Sequence, residues 1–124
     1  MDSEIKEMIK EVWEMTDQDA LKRIAKTDAY FFRRQAAADR ITDQTVLMEI
    51  AFKDANSYVR EAATSRITDQ GVLVLIIELS EVARIRETAV GRLTDQEVLL
   101  KIALMDDSIS VRAAATRRLK GPRG

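Results

Sequence analysis

The tripeptide Thr-Asp-Gln occurs four times in this chain, as Thr16-Asp17-Gln18, Thr42-Asp43-Gln44, Thr68-Asp69-Gln70 and Thr94-Asp95-Gln96, always 26 residues apart without insertion or deletion. One large aliphatic residue precedes each copy: Met15, Ile41, Ile67 and Leu93. A strict period of roughly 20–50 residues marks a repeat architecture, in which each unit buries its apolar face only against its neighbours. Such a pattern constrains the fold far more than it constrains what the protein does.

Positions within a repeat are counted here from its Thr, so the repeats run 16–41, 42–67, 68–93 and 94–119. Thr or Asp at the start is expected to cap a first helix. Its apolar residues then recur at helical spacing. Position five holds Ala20, Val46, Val72 and Val98, position six Leu21, Leu47, Leu73 and Leu99, position nine Ile24, Ile50, Ile76 and Ile102, and position ten Ala25, Ala51, Ile77 and Ala103. A break is expected near position thirteen (Asp28, Asp54, Ser80, Asp106). A second helix then places positions eighteen, twenty-one, twenty-two and twenty-six in the core. Alanine at twenty-two (Ala37, Ala63, Ala89, Ala115) lets helices approach closely. Helices this short do not stand alone, so stacking must supply their stability.

Residues 1–15 read as an N-terminal capping helix started by Asp2 or Ser3, with Ile5, Met8, Ile9, Val12 and Trp13 on one face. Residues 120–124 form a tail, and Gly121-Pro122 reads as a helix stop. The expectation is one all-α domain over 1–124, an α-α superhelix of four 26-residue helix pairs plus the capping helix.

Composition removes several classes of chemistry. The 124 residues include no cysteine and no histidine, which excludes thiolate sites and removes the commonest general base and metal ligand. A net charge of −1 gives no global basic field for nucleic acid. The longest apolar run, Val72 to Ile77, is far too short for a membrane span, and the acidic N-terminus does not read as a signal peptide. The expectations are a cytoplasmic protein, not an enzyme, with no cofactor or metal, no nucleic-acid partner and no membrane partner.

The repeat pattern resembles the HEAT-like families of short bacterial and archaeal type. The carrying residues are Asp54, Val59-Arg60 and Ala63 in repeat two, and Asp106, Val111-Arg112 and Ala115 in repeat four. Repeat one keeps Asp28, Arg34 and Ala37 but has Arg33 in the aliphatic slot. Repeat three keeps Ile85-Arg86 and Ala89 but has Ser80 in place of Asp. The resemblance covers residues 16–119. It implies antiparallel helix pairs in a right-handed superhelix and a hydrogen-bonded ladder joining Asp28, Asp54 and Asp106 to the arginines at position nineteen. The 26-residue unit is short for the family and approaches the leucine-rich-repeat-variant type. Such families include scaffolds, bilin lyases and a DNA glycosylase. Without an added catalytic domain, scaffolding is the larger implication.

Arginine is invariant at position nineteen (Arg34, Arg60, Arg86, Arg112) and at twenty-five (Arg40, Arg66, Arg92, Arg118). An arginine stripe can recognise phosphate or carboxylate. Position twenty-five, however, falls inside the core arc of the second helix, so its guanidinium must be paired with the Asp of a Thr-Asp-Gln turn or with helix-end carbonyls. The structural reading is preferred for both sets. Helix capping likewise explains the Thr-Asp-Gln carboxylates better than a metal ladder does.

Binding surfaces are expected on the second helices, at positions sixteen, twenty, twenty-three and twenty-four. The repeats disagree most at Tyr30-Phe31-Phe32-Arg33-Arg34, followed one repeat later by Tyr58 and then by Arg84. Aromatics beside arginine suit an interaction hot spot, so Tyr30, Phe31, Phe32, Tyr58 and Arg84 are the candidate partner contacts. The competing reading packs Phe31 or Phe32 under the capping helix. A second strip, at positions seven and eleven (Lys22, Met48, Val74, Leu100; Lys26, Phe52, Glu78, Leu104) with Leu75, is expected to be core rather than an exposed partner face. The resulting expectation is a protein-interaction or scaffold module, monomeric or weakly self-associating. An accessory subunit or fragment of an enzyme such as a bilin lyase is the alternative, and nucleic-acid binding ranks below both.

Overall fold

The computed structural model describes residues 2–121, which are helical with short connections; residues 122–124, including the proline of the expected stop, lie outside them. The helices are α1 (Ser3–Glu14), α2 (Gln18–Thr27), α3 (Phe31–Ala38), α4 (Gln44–Lys53), α5 (Ser57–Thr64), α6 (Gln70–Leu79), α7 (Ala83–Val90), α8 (Gln96–Met105) and α9 (Ile109–Arg118). The described residues are all-α, and no helix among them is long and apolar enough to cross a membrane.

The chain divides into two compact units, the first ending at Arg66 and the second beginning at Ile67. In the first, α1 and α2 both pack on α3, α2 touches α4, and α5 packs on α3 and α4. Its core is built from Val12, Leu21, Ala37, Ile41, Leu47, Val59 and Ala63, all fully buried. In the second, α7 packs on α6 and α9, and α8 packs on α9. Leu73, Ile85, Ala89, Leu93, Leu99, Val111 and Ala115 fill it. In both units these core residues stand at positions six, eighteen, twenty-two and twenty-six, save that α1 supplies Val12 and repeat one has Arg33 at eighteen.

The Thr-Asp-Gln turns divide their work by residue. Asp, not Thr, is the N-cap: Asp17 Oδ1 accepts from Asp19 N–H at 2.9 Å, Asp43 Oδ1 from Thr45 N–H at 2.9 Å, Asp69 Oδ1 from Val72 N–H at 3.0 Å and Asp95 Oδ1 from Glu97 N–H at 2.9 Å. Gln closes its own repeat. The Gln18 amide donates to Arg40 C=O at 3.0 Å and accepts from Thr42 N–H at 3.2 Å. Gln70 does the same with Arg92 C=O and Thr94 N–H, at 3.0 Å each, and Gln96 with Arg118 C=O (3.4 Å) and Lys120 N–H (2.8 Å). A side-chain amide is suited to this because it carries a donor and an acceptor side by side.

Two expectations about the surface are corrected. At position twenty-three, Ala38, Thr64 and Val90 are buried rather than outward-facing. Each second helix touches more than its own first helix, α3 meeting α5 and α7 meeting α9, which widens the covered arc. The strip at positions seven and eleven is not core throughout: Phe52, Leu75, Leu100 and Leu104 are exposed. At about 100° per residue these positions lie roughly 100° and 140° round the helix from position six, beyond the stripe that faces the second helices.

Candidate interaction site

The invariant arginines are structural fasteners. Each position-nineteen guanidinium donates Nη1 to the carbonyl at position thirteen of its own repeat: Arg34 to Asp28 at 2.9 Å, Arg60 to Asp54 at 2.7 Å, Arg86 to Ser80 at 2.9 Å and Arg112 to Asp106 at 2.6 Å. Two of them also span to the next repeat. Arg34 lies two-pronged on Asp54, and Arg86 on Asp106, with Nε–Oδ2 distances of 2.9 and 3.1 Å. Asp54 and Asp106 use Oδ1 to hold the N–H two residues on, at 2.9 Å in both cases, so each carboxylate also shapes the start of the second helix. Burial pushes the Asp106 carboxyl up, but the Arg86 guanidinium and the Ser108 N–H outweigh it and hold the group below its usual range.

Asp28 departs from this scheme. Its carboxylate takes Arg33, at 2.8 Å, while Arg34 reaches only its carbonyl. Arg33 occupies the slot that is Val59, Ile85 and Val111 elsewhere. It is tolerated because α1 lies alongside: Nη1 also donates to Met8 C=O at 3.0 Å and to Glu11 Oε2 at 3.2 Å. The odd arginine is therefore the polar bolt between the capping helix and repeat one.

At position twenty-five, the guanidinium turns to the carbonyl just before its own repeat. Arg66 Nε donates to Ile41 C=O at 2.9 Å, Arg92 Nε to Ile67 C=O at 3.3 Å and Arg118 Nε to Leu93 C=O at 2.9 Å. Arg40 bonds Trp13 C=O and Met15 C=O, and it stands over the Trp13 ring with Cζ 5.4 Å from the centroid. Of the two partners expected from sequence, helix-end carbonyls take Arg40 alone; Arg66, Arg92 and Arg118 bond carbonyls of the connections between repeats, and none of the four takes the Asp of a Thr-Asp-Gln turn in a described bond.

The aromatic insert of repeat one behaves differently from this framework. Tyr30 is the N-cap of α3 but makes no side-chain cap bond; Asp28 Oδ1 holds its N–H instead, at 2.9 Å. The three rings form one cluster, Tyr30 stacked on Phe32 at 5.2 Å and Phe31 edge-on to Phe32 at 5.9 Å. Tyr30 and Phe31 stay 51% and 43% exposed, while Phe32 is half-buried. Neither sequence alternative holds in full: Phe32 is half-buried in the ring cluster, and Phe31 remains exposed. Between α1 and α3 this leaves an open groove of about 520 Å³, lined by Ile5, Ile9, Trp13, Phe31, Phe32, Gln35, Ala36 and Asp39.

Tyr58, on α5, is 51% exposed in the same unit. Arg84 is on α7 and belongs to the second unit, where it is half-buried. Of the groove residues, only Phe31 and Phe32 were expected contacts; Gln35 and Asp39 stand at expected binding-face positions twenty and twenty-four, and Ile5, Ile9, Trp13 and Ala36 were not expected contacts. Asp39 carried a signal, since its position reads Ser65, Gly91 and Arg117 in the other repeats. Among the described residues no group of three His, Cys, Asp or Glu is placed to hold a metal ion. Comparison with protein families, curated proteins and solved structures finds no match to this chain.

Proposed function

We propose that this protein is a non-enzymatic interaction module of the HEAT-like, right-handed α-solenoid type, cytoplasmic and monomeric or weakly self-associating, that binds a segment of another protein. The observation that carries the reading is the exposed aromatic lip of Tyr30 and Phe31, with Phe31 also lining the groove against α1. Large rings left in water cost apolar hydration that a partner would recover. Aromatic side chains are also where interface energy concentrates. The invariant arginines support the reading by being spent on carbonyls and carboxylates, which leaves the departures from the repeat as the variable surface.

The test is affinity capture from a cell extract with three baits: wild type, Tyr30→Ala/Phe31→Ala, and Leu104→Ser as an exposed control on α8. A partner held by wild type and by Leu104→Ser but lost by the aromatic double variant supports the assignment. A partner held equally by all three removes Tyr30 and Phe31 from the site.

A further inference from the structure

The groove between α1 and α3 contains one charged side chain, Asp39. Its surroundings differ from those of the repeat carboxylates, which are bonded to N–H groups or guanidinium groups. No hydrogen bond reaches the Asp39 carboxylate from any described residue; burial pushes its pKa up, and the only group that pulls it back is the charge of Arg66. Arg66 is itself committed to Ile41 C=O through Nε at 2.9 Å. A half-buried, unbonded carboxylate is costly, and a donor brought from outside would relieve that cost.

The rest of the lining decides what kind of donor fits. Ile5, Ile9 and Ala36 offer an apolar wall, and Phe31 and Phe32 offer ring surface, whereas the Trp13 ring already carries Arg40, its Cζ 5.4 Å from the centroid. Ring faces attract cations, and long cationic side chains lay their stems on apolar surface while the head finds a polar partner. Outside the lining, α1 carries Glu4, Glu7, Glu11 and Glu14 against Lys6 and Lys10, with Glu11 taken by Arg33, a net negative helix that favours an approaching cation. A phosphate or an acidic segment would meet like charge at Asp39.

We propose that the groove between α1 and α3 receives a lysine or arginine side chain of the partner segment, its stem along Ile5, Ile9 and the aromatic lip and its cationic head on the Asp39 carboxylate. This rests on the reading of the protein as a segment-binding module and names the chemistry of the segment.

The experiment is selection of a displayed random dodecapeptide library on the full chain, followed by affinity measurement of the enriched peptides. Enriched peptides share one Lys or Arg in a fixed register with apolar neighbours. Replacing that residue by norleucine weakens binding by about tenfold or more. Asp39→Asn, which removes no internal hydrogen bond, weakens the cationic peptide to a similar degree and leaves the norleucine peptide unchanged, the non-additivity expected of two groups in contact. Peptides that need Phe31 but carry no fixed cation, or a cation effect that survives Asp39→Asn, overturn the inference and leave segment binding standing. No enrichment over a Phe31→Ala/Phe32→Ala chain overturns both.

Discussion

The Arg34 guanidinium meets the Asp54 carboxylate edge to edge, Nε at 2.9 Å from Oδ2 and Nη2 at 3.2 Å from Oδ1, joining repeat one to repeat two across 20 residues of chain. Both side chains are largely buried, at 16% and 8% exposure, so the pair is poorly screened by water. Breaking such a pair from one side strands the other charge, whereas removing both sides does not. Asp54→Ala is expected to destabilise the first unit by roughly 3 kcal/mol, and Arg34→Met combined with Asp54→Leu by much less. Urea unfolding followed by the fluorescence of Trp13, the only tryptophan in the chain, reads the difference.

Gln18 ties the end of repeat one to its beginning through Arg40 C=O and Thr42 N–H. Gln18→Ala removes both bonds and should cost about 1–2 kcal/mol. Gln18→Glu keeps an acceptor but loses the donor, so it should not restore the stability lost in the alanine variant. Hydrogen exchange at the Thr42 amide reads the acceptor half directly: faster than wild type in Gln18→Ala, and closer to wild type in Gln18→Glu, which keeps that acceptor.

Asp106 makes the second unit acid-sensitive. Its carboxyl is held below the ordinary value when folded, because the Arg86 and Ser108 bonds outweigh the effect of burial. The stabilisation it gives is therefore fully present above the unfolded value of about 3.9 and is lost as pH falls through the lower folded value. Asp106→Asn should destabilise the unit at neutral pH and flatten this part of its acid profile. The second unit contains no aromatic residue, so exchange of the Val111 and Ala115 amides as a function of pH is the suitable probe.

Asp39 carries the opposite sign. Burial raises its carboxyl pKa, with Arg66 only partly opposing, so the folded chain is penalised for the charge above the folded pKa and relieved as pH falls through it. Asp39→Asn should stabilise the first unit at neutral pH, and the advantage should fade on acidification. Paired thermal unfolding curves at pH 7 and at low pH test this; a destabilised variant at pH 7 would show that the carboxylate has a bonding partner.

Gly71 stands in the first turn of α6, where the other repeats carry Asp19, Thr45 and Glu97. A Cβ there would meet only Asp69 Oδ1, at 3.3 Å, the end of a side chain that can shift. Gly71→Ala is therefore expected to stabilise the second unit by about 0.5–1 kcal/mol, through the unfolded chain's lost freedom. A rise in the denaturant midpoint without a change in slope is the signature.

The period alone located the helices and their aliphatic core, because position six and position twenty-two repeat without exception in character. The Gln of the tripeptide was visible as an invariant, yet its use was not: an amide that clamps two backbone groups leaves no hydropathy signal. The connection carbonyls that take Arg66, Arg92 and Arg118 were not legible, since carbonyls carry no sequence mark. Arg33 looked like a fault in the core pattern until α1 supplied Met8 C=O and Glu11. The groove depended on where α1 docks, which no repeat period specifies, and so Trp13 emerged from packing, whereas Asp39 stood out in the pattern but its role did not. Position twenty-three failed for a related reason, as helical periodicity assigns a face but not the number of neighbours that cover it.

The central claim is that the aromatic lip of repeat one binds a protein segment, and the affinity of the selected dodecapeptides for Phe31→Ala tests it most directly. Phe31 is 43% exposed, so its truncation should leave the thermal unfolding curve close to that of wild type. The account predicts binding weakened by about tenfold or more, the loss of an interface anchor. Unchanged affinity in a folded Phe31→Ala chain would contradict it.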